Sequence, residues 1–214
     1  KMGSHGPDEY LRPFYVQRKD SLDVLITNDD PLKQIPTAYS QMNVMQKLAF
    51  KPNRNWDFTY AFHYSETSSY GRYDRNIQYR NDLPRSAEWN YGPQKWLMNQ
   101  LTIAYKRTNI AFDEMNIRLA HQYFNESRID RDFNELIRST KEEKVFAYSA
   151  NFDFVKTFLG KHKVYYGAEY VNNVVSSEGE ARNIYSGATF NAASRYPNSA
   201  GATAGVYTSY QFKA

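Results

Sequence analysis

The chain has 214 residues, of which 16% are aromatic, and a net charge of +4 at pH 7, yet its mean hydropathy is −0.76. No run approaches the ~18 consecutive apolar residues of a transmembrane helix, so the sequence excludes a helical membrane protein. The absence of cysteine excludes disulfides and thiolate chemistry. Lys and Arg are scattered along the sequence, which gives no support to a nucleic-acid partner.

Residues 1–36 read as a loop region. Pro7, Pro13, the Asn-Asp-Asp-Pro sequence at 28–31 and Pro36 interrupt this part of the chain repeatedly. Only residues 22–27 resemble a strand. We therefore predict a first region, 1–36, without a strand core of its own.

Residues 37–214 alternate between apolar and polar side chains. Residues 56–64 read Trp-Asp-Phe-Thr-Tyr-Ala-Phe-His-Tyr, with an aromatic at every second position. A period of two predicts β-strands with one apolar and one polar face. The strand-like segments are residues 42–50, 56–64, 97–106, 115–123, 146–154 and 164–174, followed by a partial one at 206–212.

The connections between these segments alternate in length. The connections near residues 52–55, 107–109 and 160–162 are short and rich in turn residues, whereas those at about 67–94, 127–142 and 175–202 are long. Short turns on one side and long loops on the other are typical of an outer-membrane β-barrel. We therefore predict an all-β antiparallel meander that spans the bacterial outer membrane, with short periplasmic turns, long extracellular loops and region 1–36 outside the cell.

Six or seven strands do not close the expected barrel, and an open edge in lipid leaves backbone groups unpaired. We therefore expect the chain to be a section of a larger barrel. Two alternatives remain at this point: a small stand-alone barrel with a structural or adhesive role, and a soluble β-sandwich binding module whose aromatic faces form a core.

Several segments resemble the barrel of TonB-dependent outer-membrane receptors of the Bacteroidetes type. They are Gly-Pro-Asp-Glu-Tyr-Leu-Arg-Pro at 6–13, Tyr-Ser-Gln at 39–41, Trp-Asp-Phe-Thr-Tyr at 56–60, Tyr-Gly-Arg-Tyr-Asp-Arg at 70–75, residues 88–96 and Glu-Ser-Arg at 126–128. The resemblance implies a 22-stranded barrel, a plug that contacts the TonB complex, and import of a scarce nutrient, most often an iron–siderophore or related metal chelate. It also implies outer-membrane lipid, lipopolysaccharide and a surface lipoprotein as partners; neither a plug nor a TonB box is recognisable in this sequence.

The connection at 67–96 interleaves aromatic and guanidinium side chains. Such a surface binds anionic or aromatic ligands through charge-assisted hydrogen bonds, stacking and cation–π contacts. The same residues also serve to pack a long loop against itself. The candidate ligand-binding residues are Tyr70, Arg72, Tyr73, Arg75, Tyr79, Arg80, Trp89 and Tyr91.

Asp57, His63, Asp153 and Glu169 fall on the polar face by alternation and are candidate contacts to a plug. No two histidines have metal-ligand spacing, so no metal site and no cofactor are predicted. No catalytic motif is present either, and we predict that the protein is not an enzyme.

Overall fold

The computed structural model describes residues 11–213, and in it the chain is all-β, with 71% of its residues in strands. Most of the described strands belong to a single antiparallel sheet. A four-residue helix, α1 (Tyr73–Asn76), lies in the connection after the second long strand. Among residues 11–213 no helix is long and apolar enough to cross a membrane.

Thirteen strands are found in the described part of the chain. They are β1 (Phe14–Lys19), β2 (Leu22–Thr27), β3 (Gln41–Asn53), β4 (Trp56–Thr67), β5 (Tyr70–Gly71), β6 (Tyr79–Arg80), β7 (Leu83–Pro84), β8 (Ser86–Lys106), β9 (Glu114–Asp132), β10 (Ile137–Phe158), β11 (His162–Asn183), β12 (Thr189–Ala192) and β13 (Ser199–Phe212).

The main sheet is a meander in which consecutive long strands are neighbours. Its order is β3-β4-β8-β9-β10-β11, and β11 then pairs with β13 along one half and with β12 along the other. The small strand β5 adds to β8, while β1–β2 and β6–β7 form separate two-stranded hairpins. The predicted antiparallel meander is therefore confirmed for the described residues.

The register of the sheet aligns the apolar positions of all the long strands on one face. One row crosses seven strands without a polar residue: Phe50, Phe58, Ile103, Ile117, Phe152, Ala168 and Val206. The next row is Leu48, Tyr60, Leu101, Leu119, Ala150, Tyr170 and Ala204. We call this surface the apolar band; it runs on β4 from Trp56 to Tyr64 and on β8 from Tyr105 to Leu97.

The apolar band is not covered by any other part of the described chain. No hydrophobic side chain in residues 11–213 is buried, and Leu48 and Val206 of the band are 57% and 87% exposed. Apolar side chains of a water-soluble domain of this size normally pack into a core. The long strands of the described chain instead form one sheet with an open apolar face.

The strands extend further than the sequence predicted. The expected long loop at 127–142 is mostly paired strand, since Thr140 lies opposite Ile129 and only residues 133–136 connect β9 to β10. Likewise β11 continues to Asn183, and β8 begins at Ser86. Beyond the apolar band both faces carry polar residues, so the alternation that marked the strands disappears while the backbone ladder continues.

Region 1–36 is not entirely loop. Strand β2 coincides with the strand-like residues 22–27, and β1 pairs with it to form a hairpin, a partner that the sequence analysis missed. Pro7 of this region lies outside the described residues.

Gly167 provides a test of the observed register. A Cβ at Gly167 would lie 2.3 Å from the carbonyl oxygen of Phe152 and 2.5 Å from the ring of Tyr207 on β13, whereas a Cβ at Gly205 meets nothing within 4 Å. We expect Gly167→Ala to lower the free energy of unfolding by about 1–3 kcal/mol through overpacking, and Gly205→Ala to leave it unchanged or raise it slightly. Urea unfolding midpoints measure both variants, and equal midpoints would contradict the β11–β13 pairing.

Candidate functional site

A bulge in β8 places Trp89 and Tyr91 on the polar face of the sheet. The register shifts between Tyr91 and Gln94, at Gly92, whose φ of +84° is a conformation that favours glycine. Without the extra residue, Tyr91 would share a face with Leu97 by simple alternation. With the bulge, Tyr91 lies opposite Arg128 of β9, on the face away from the apolar band.

Three arginines surround these two aromatic rings. The guanidinium carbon of Arg72 lies 5.0 Å from the ring centre of Trp89, and that of Arg128 lies 5.2 Å from Trp89 and 5.1 Å from Tyr91. The third, Arg75, lies 5.6 Å from Trp89. Arg72 and Arg128 also donate to the Tyr91 hydroxyl at 2.9 and 3.1 Å. We call Arg72, Arg75, Trp89, Tyr91 and Arg128 the guanidinium–aromatic cluster.

The cluster carries more positive than negative charge. Its acidic neighbour, Asp74, accepts two hydrogen bonds of 2.7 Å from Arg72. These bonds lower the pKa of Asp74 and raise that of Arg72, so both groups are charged at neutral pH. Arg75 and Arg128 add two further cations. A guanidinium stacked on a ring still offers its edge N–H groups, which suits carboxylate, catecholate or phosphate oxygens.

The other predicted ligand residues divide into two groups. Tyr70 lies at the margin of the cluster, with its ring centre 6.2 Å from that of Tyr91. Tyr73 and Tyr79 lie near the buried Arg12, and Tyr79 and Arg80 form strand β6 outside the cluster. Arg128, which the ligand prediction omitted, completes the cluster; in the sequence it stood out only as part of the resembling segment Glu-Ser-Arg at 126–128.

The four predicted polar-face residues do share one face of the sheet, as the register shows. Asp153 accepts hydrogen bonds from Arg118 at 2.7 Å and from the Tyr207 hydroxyl at 2.8 Å. Asp57 pairs with Lys51 at 2.7 Å, Glu169 accepts from Asn151 at 2.7 Å, and the ring of His63 lies 5.8 Å from that of Trp96. Within residues 11–213 no group of three His, Asp or Glu side chains is arranged to hold a metal ion.

A buried ion pair fastens the hairpin β1–β2 to the extended strands. Arg131, whose side chain is 2% exposed, donates to both carboxylate oxygens of Asp23 at 2.7 and 2.9 Å. It also donates to Glu88 at 3.0 Å, and Arg138 donates to the same carboxylate at 2.8 Å. Burial acts to raise the pKa of Asp23, but the hydrogen bonds from Arg131, Arg18 and the Asn134 amide outweigh it and lower that pKa.

Region 11–36 also contacts the loop that carries the guanidinium–aromatic cluster. The guanidinium of Arg12 donates to the carbonyl of Asn76 in α1, and the amide of Gly71 donates to the carbonyl of Pro36 at 2.9 Å. Region 11–36 thus connects the cluster loop on one side with the β9–β10 turn on the other.

Comparison of the chain with protein-family models, with curated proteins and with solved structures gives no match.

We expect Asp23→Asn to release the hairpin, because it leaves the buried Arg131 without its ionic partner, a change that typically costs about 3–5 kcal/mol. Amide hydrogen exchange of residues 14–27 measures the release. Asp20→Asn, in the exposed turn of the same hairpin, is the matched control.

The pH dependence follows from the lowered pKa of Asp23. The ion pair contributes fully above the ordinary carboxyl value of 3.8 and is lost as the pH falls through the lower folded-state value. Protection of residues 14–27, corrected for the intrinsic exchange rate, should be constant down to about pH 4 and decrease below it. Equal protection in the parent and Asp23→Asn would show that the pair does not hold the hairpin.

Proposed function

We propose that this chain is one wall of an outer-membrane β-barrel and that the apolar band faces lipid. The observation that carries the proposal is the open apolar face: seven strands align aromatic and aliphatic residues in register, and no hydrophobic side chain of residues 11–213 is buried. Contact with lipid removes the apolar side chains of this band from water, which is favourable in proportion to the apolar area covered. A continuous apolar band of this kind is typical of the lipid-facing surface of a barrel.

The height of the band supports a bilayer as its occupant. From Trp56 to Tyr64 it spans eight residue steps, or about 26 Å along the strand; a tilt of about 40° lowers this to about 20 Å, near the ~25 Å band of known barrels. Ionic residues follow immediately at the long-loop end, where Lys95 pairs with Glu66 at 3.1 Å and Lys144 with Glu142 at 3.0 Å. Charge bounding an apolar belt is expected at a headgroup region.

The edges of the sheet support a larger assembly. Within the described residues β3 and β13 each pair on one side only, and they do not pair with each other. A spanning sheet must close, because each unpaired backbone group in lipid costs several kcal/mol. We therefore propose that further strands, as in the 22-stranded barrel implied by the resemblance, complete the wall.

We propose transport as the activity, in the manner of a TonB-dependent receptor that imports a metal chelate. The cationic cluster lies on the polar face, beyond the apolar band, where the strands β8 to β11 would project from the membrane. That position suits capture of an anionic chelate before it enters the lumen. Asp57, His63, Asp153 and Glu169 lie deeper on the same face and suit contact with a plug, through which the TonB complex would act.

The two alternatives differ in what they require. A small stand-alone barrel closes only if β3 and β13 pair with each other or with one further strand between them. Neither pairing is present among the described residues. A soluble sandwich needs a second sheet over the apolar band, and the described long strands all lie in one sheet.

Two adjacent residues of β8 test the membrane placement. Leu101 lies in the middle of the apolar band and Thr102 on the opposite face. Arg at the lipid-facing midplane costs about 2–4 kcal/mol, whereas a lumen position tolerates it. We expect Leu101→Arg to reduce the folded fraction in purified outer membranes severalfold and Thr102→Arg to leave it near that of the parent, measured by heat-modifiable gel mobility. A parent protein that is monodisperse in buffer without detergent would overturn the placement.

The cluster is tested with a ferric tris-catecholate complex as the probe. Arg72→Gln combined with Arg128→Gln removes two charge-assisted donors, each contributing about 1.5–3 kcal/mol, so the dissociation constant should rise at least tenfold by fluorescence quenching. Arg80→Gln removes one positive charge from β6, outside the cluster, and should leave binding unchanged. An equal loss with Arg80→Gln, or no loss with the double variant, would place the ligand elsewhere.

A further inference from the structure

One row of the apolar band carries polar side chains. From β3 to β13 this row reads Gln46, Phe62, Asn99, His121, Tyr148, Asn172 and Ala202. The rows on both sides of it are aromatic or aliphatic; one is the row of Leu48 and Tyr60, and the other is Val44, Tyr64, Leu97, Tyr123, Phe146, Val174 and Ala200. We call Asn99, His121 and Tyr148, on the adjacent strands β8, β9 and β10, the polar patch.

The polar patch lies inside the apolar band rather than at its margin. Along β8 the nearest charged residues are Lys95, four residues from Asn99, and Lys106, seven residues from it. Four residues correspond to about 13 Å along a strand, or about 10 Å in depth at a tilt of about 40°. In the proposed placement the polar patch therefore faces hydrocarbon.

Most hydrogen-bonding groups of the polar patch have no partner in the described part of the chain. The side-chain oxygen of Asn99 accepts from the Tyr60 hydroxyl at 2.6 Å, but its amide nitrogen has no hydrogen bond to residues 11–213. The ring of His121 stacks on that of Tyr148 at 4.9 Å, and within the same residues neither the imidazole nor the Tyr148 hydroxyl is hydrogen-bonded. Unpaired polar groups in hydrocarbon are costly. These side chains therefore need a polar partner at their own depth.

A hollow in the sheet surface lies beside the polar patch. Its volume is about 370 Å³, and its lining includes Tyr60, Leu119, His121, Tyr148 and Tyr170. Tyr148 is also 49% exposed. A projecting ring next to a hollow on the same face allows two copies of that face to interlock, since the ring of each copy can enter the hollow of the other.

A second copy of the protein in the same membrane supplies such a partner. Two copies share one orientation relative to the bilayer, so a two-fold axis along the membrane normal brings their polar patches to the same depth. With the axis at β9, His121 faces its own counterpart, and Asn99 on β8 faces the partner's Tyr148. Amide, imidazole and hydroxyl groups each donate and accept hydrogen bonds, so the polar patch is complementary to itself.

We propose that the polar patch is the centre of a two-fold interface between two copies of this protein within the membrane. This inference rests on the proposed membrane placement and adds to it a partner and a contact surface. The apolar rows on both sides of the patch supply contact area, while the hydrogen bonds of Asn99, His121 and Tyr148 fix the position of one wall against the other.

Single cysteines test the contact, because the chain has none of its own. His121→Cys, at the axis, should give a disulfide-linked dimer when outer membranes are oxidised, and the parent gives the background. Gln122→Cys, one residue further on the polar face, and Val206→Cys, on the apolar face of β13, should give severalfold less dimer.

Three outcomes of the cysteine experiment would overturn the interface. Equal yields from His121→Cys and Val206→Cys would indicate random collision in the membrane. No dimer from His121→Cys would show that the two copies do not meet at β9. A cross-link from His121→Cys to a chain of different mass would identify another protein as the partner.

A second pair of variants covers the case in which His121→Cys fails to fold. Asn99→Leu combined with His121→Leu makes the lipid-facing surface more apolar, so it should insert as the parent does. Each hydrogen bond between membrane-spanning segments contributes about a threefold preference, and the two-fold axis repeats the bond of Asn99. The dimer dissociation constant, measured by sedimentation in a non-ionic detergent, should therefore rise at least tenfold. Gln100→Leu combined with Gln122→Leu makes the matched change on the polar face and should leave that constant unchanged.

The state of the parent separates this inference from the membrane placement. A parent that inserts into the outer membrane but sediments as a monomer in detergent, with no cross-link from His121→Cys, would overturn the interface and leave the placement intact. A parent that is monodisperse in buffer without detergent would overturn both.

Discussion

The antiparallel backbone ladder is the constraint on which the rest of this molecule depends. In most domains of this size a buried core holds the strands together, but here the described residues bury polar and charged side chains while every large apolar one retains some exposure. The ladder fixes the register of six long neighbouring strands, and the register in turn collects apolar residues on one face. A slip of one residue in any strand would move its aromatic residues to the polar face.

Beyond the apolar band the structure is held by a different kind of contact. There the strands continue with polar residues on both faces, and ionic pairs replace hydrophobic contact between elements. The pair of Arg131 with Asp23 joins residues 108 apart in the sequence, and it is satisfied on both sides by Glu88, Arg18 and a backbone amide. Burying two charges costs desolvation free energy, and their attraction offsets this cost only when their remaining hydrogen-bonding groups also have partners. Such a pair can then fix the position of the elements that it joins. The hairpin β1–β2 is thus placed by charge.

The sequence was informative where one simple period governed the side chains and uninformative where the period changed. Alternation identified β4 at Trp56 correctly because apolar and polar residues differ strongly there, and the strand-like residues 22–27 coincide with β2. It ended β9 too early and began β10 too late because Arg128, Asp130 and Lys141 give no apolar contrast, although their backbones remain paired. The bulge at Gly92 reversed the faces of Trp89 and Tyr91, and single-sequence alternation has no means of counting an extra residue.

The candidate site shows the same limit. Interleaved aromatic and guanidinium residues predicted a cluster in the connection at 67–96, and five of the eight predicted residues, Tyr70, Arg72, Arg75, Trp89 and Tyr91, lie in it or at its margin. Arg128 belongs to another strand, and only the pairing of β8 with β9 brings it there. The distribution of positive charge is likewise not visible in the sequence. Arg54 and Arg107 are far from Lys161, Lys163 and Lys213 along the chain, so basic residues look evenly distributed. Folding into a meander returns each short turn to the same end, and a scattered composition becomes a surface of net positive charge.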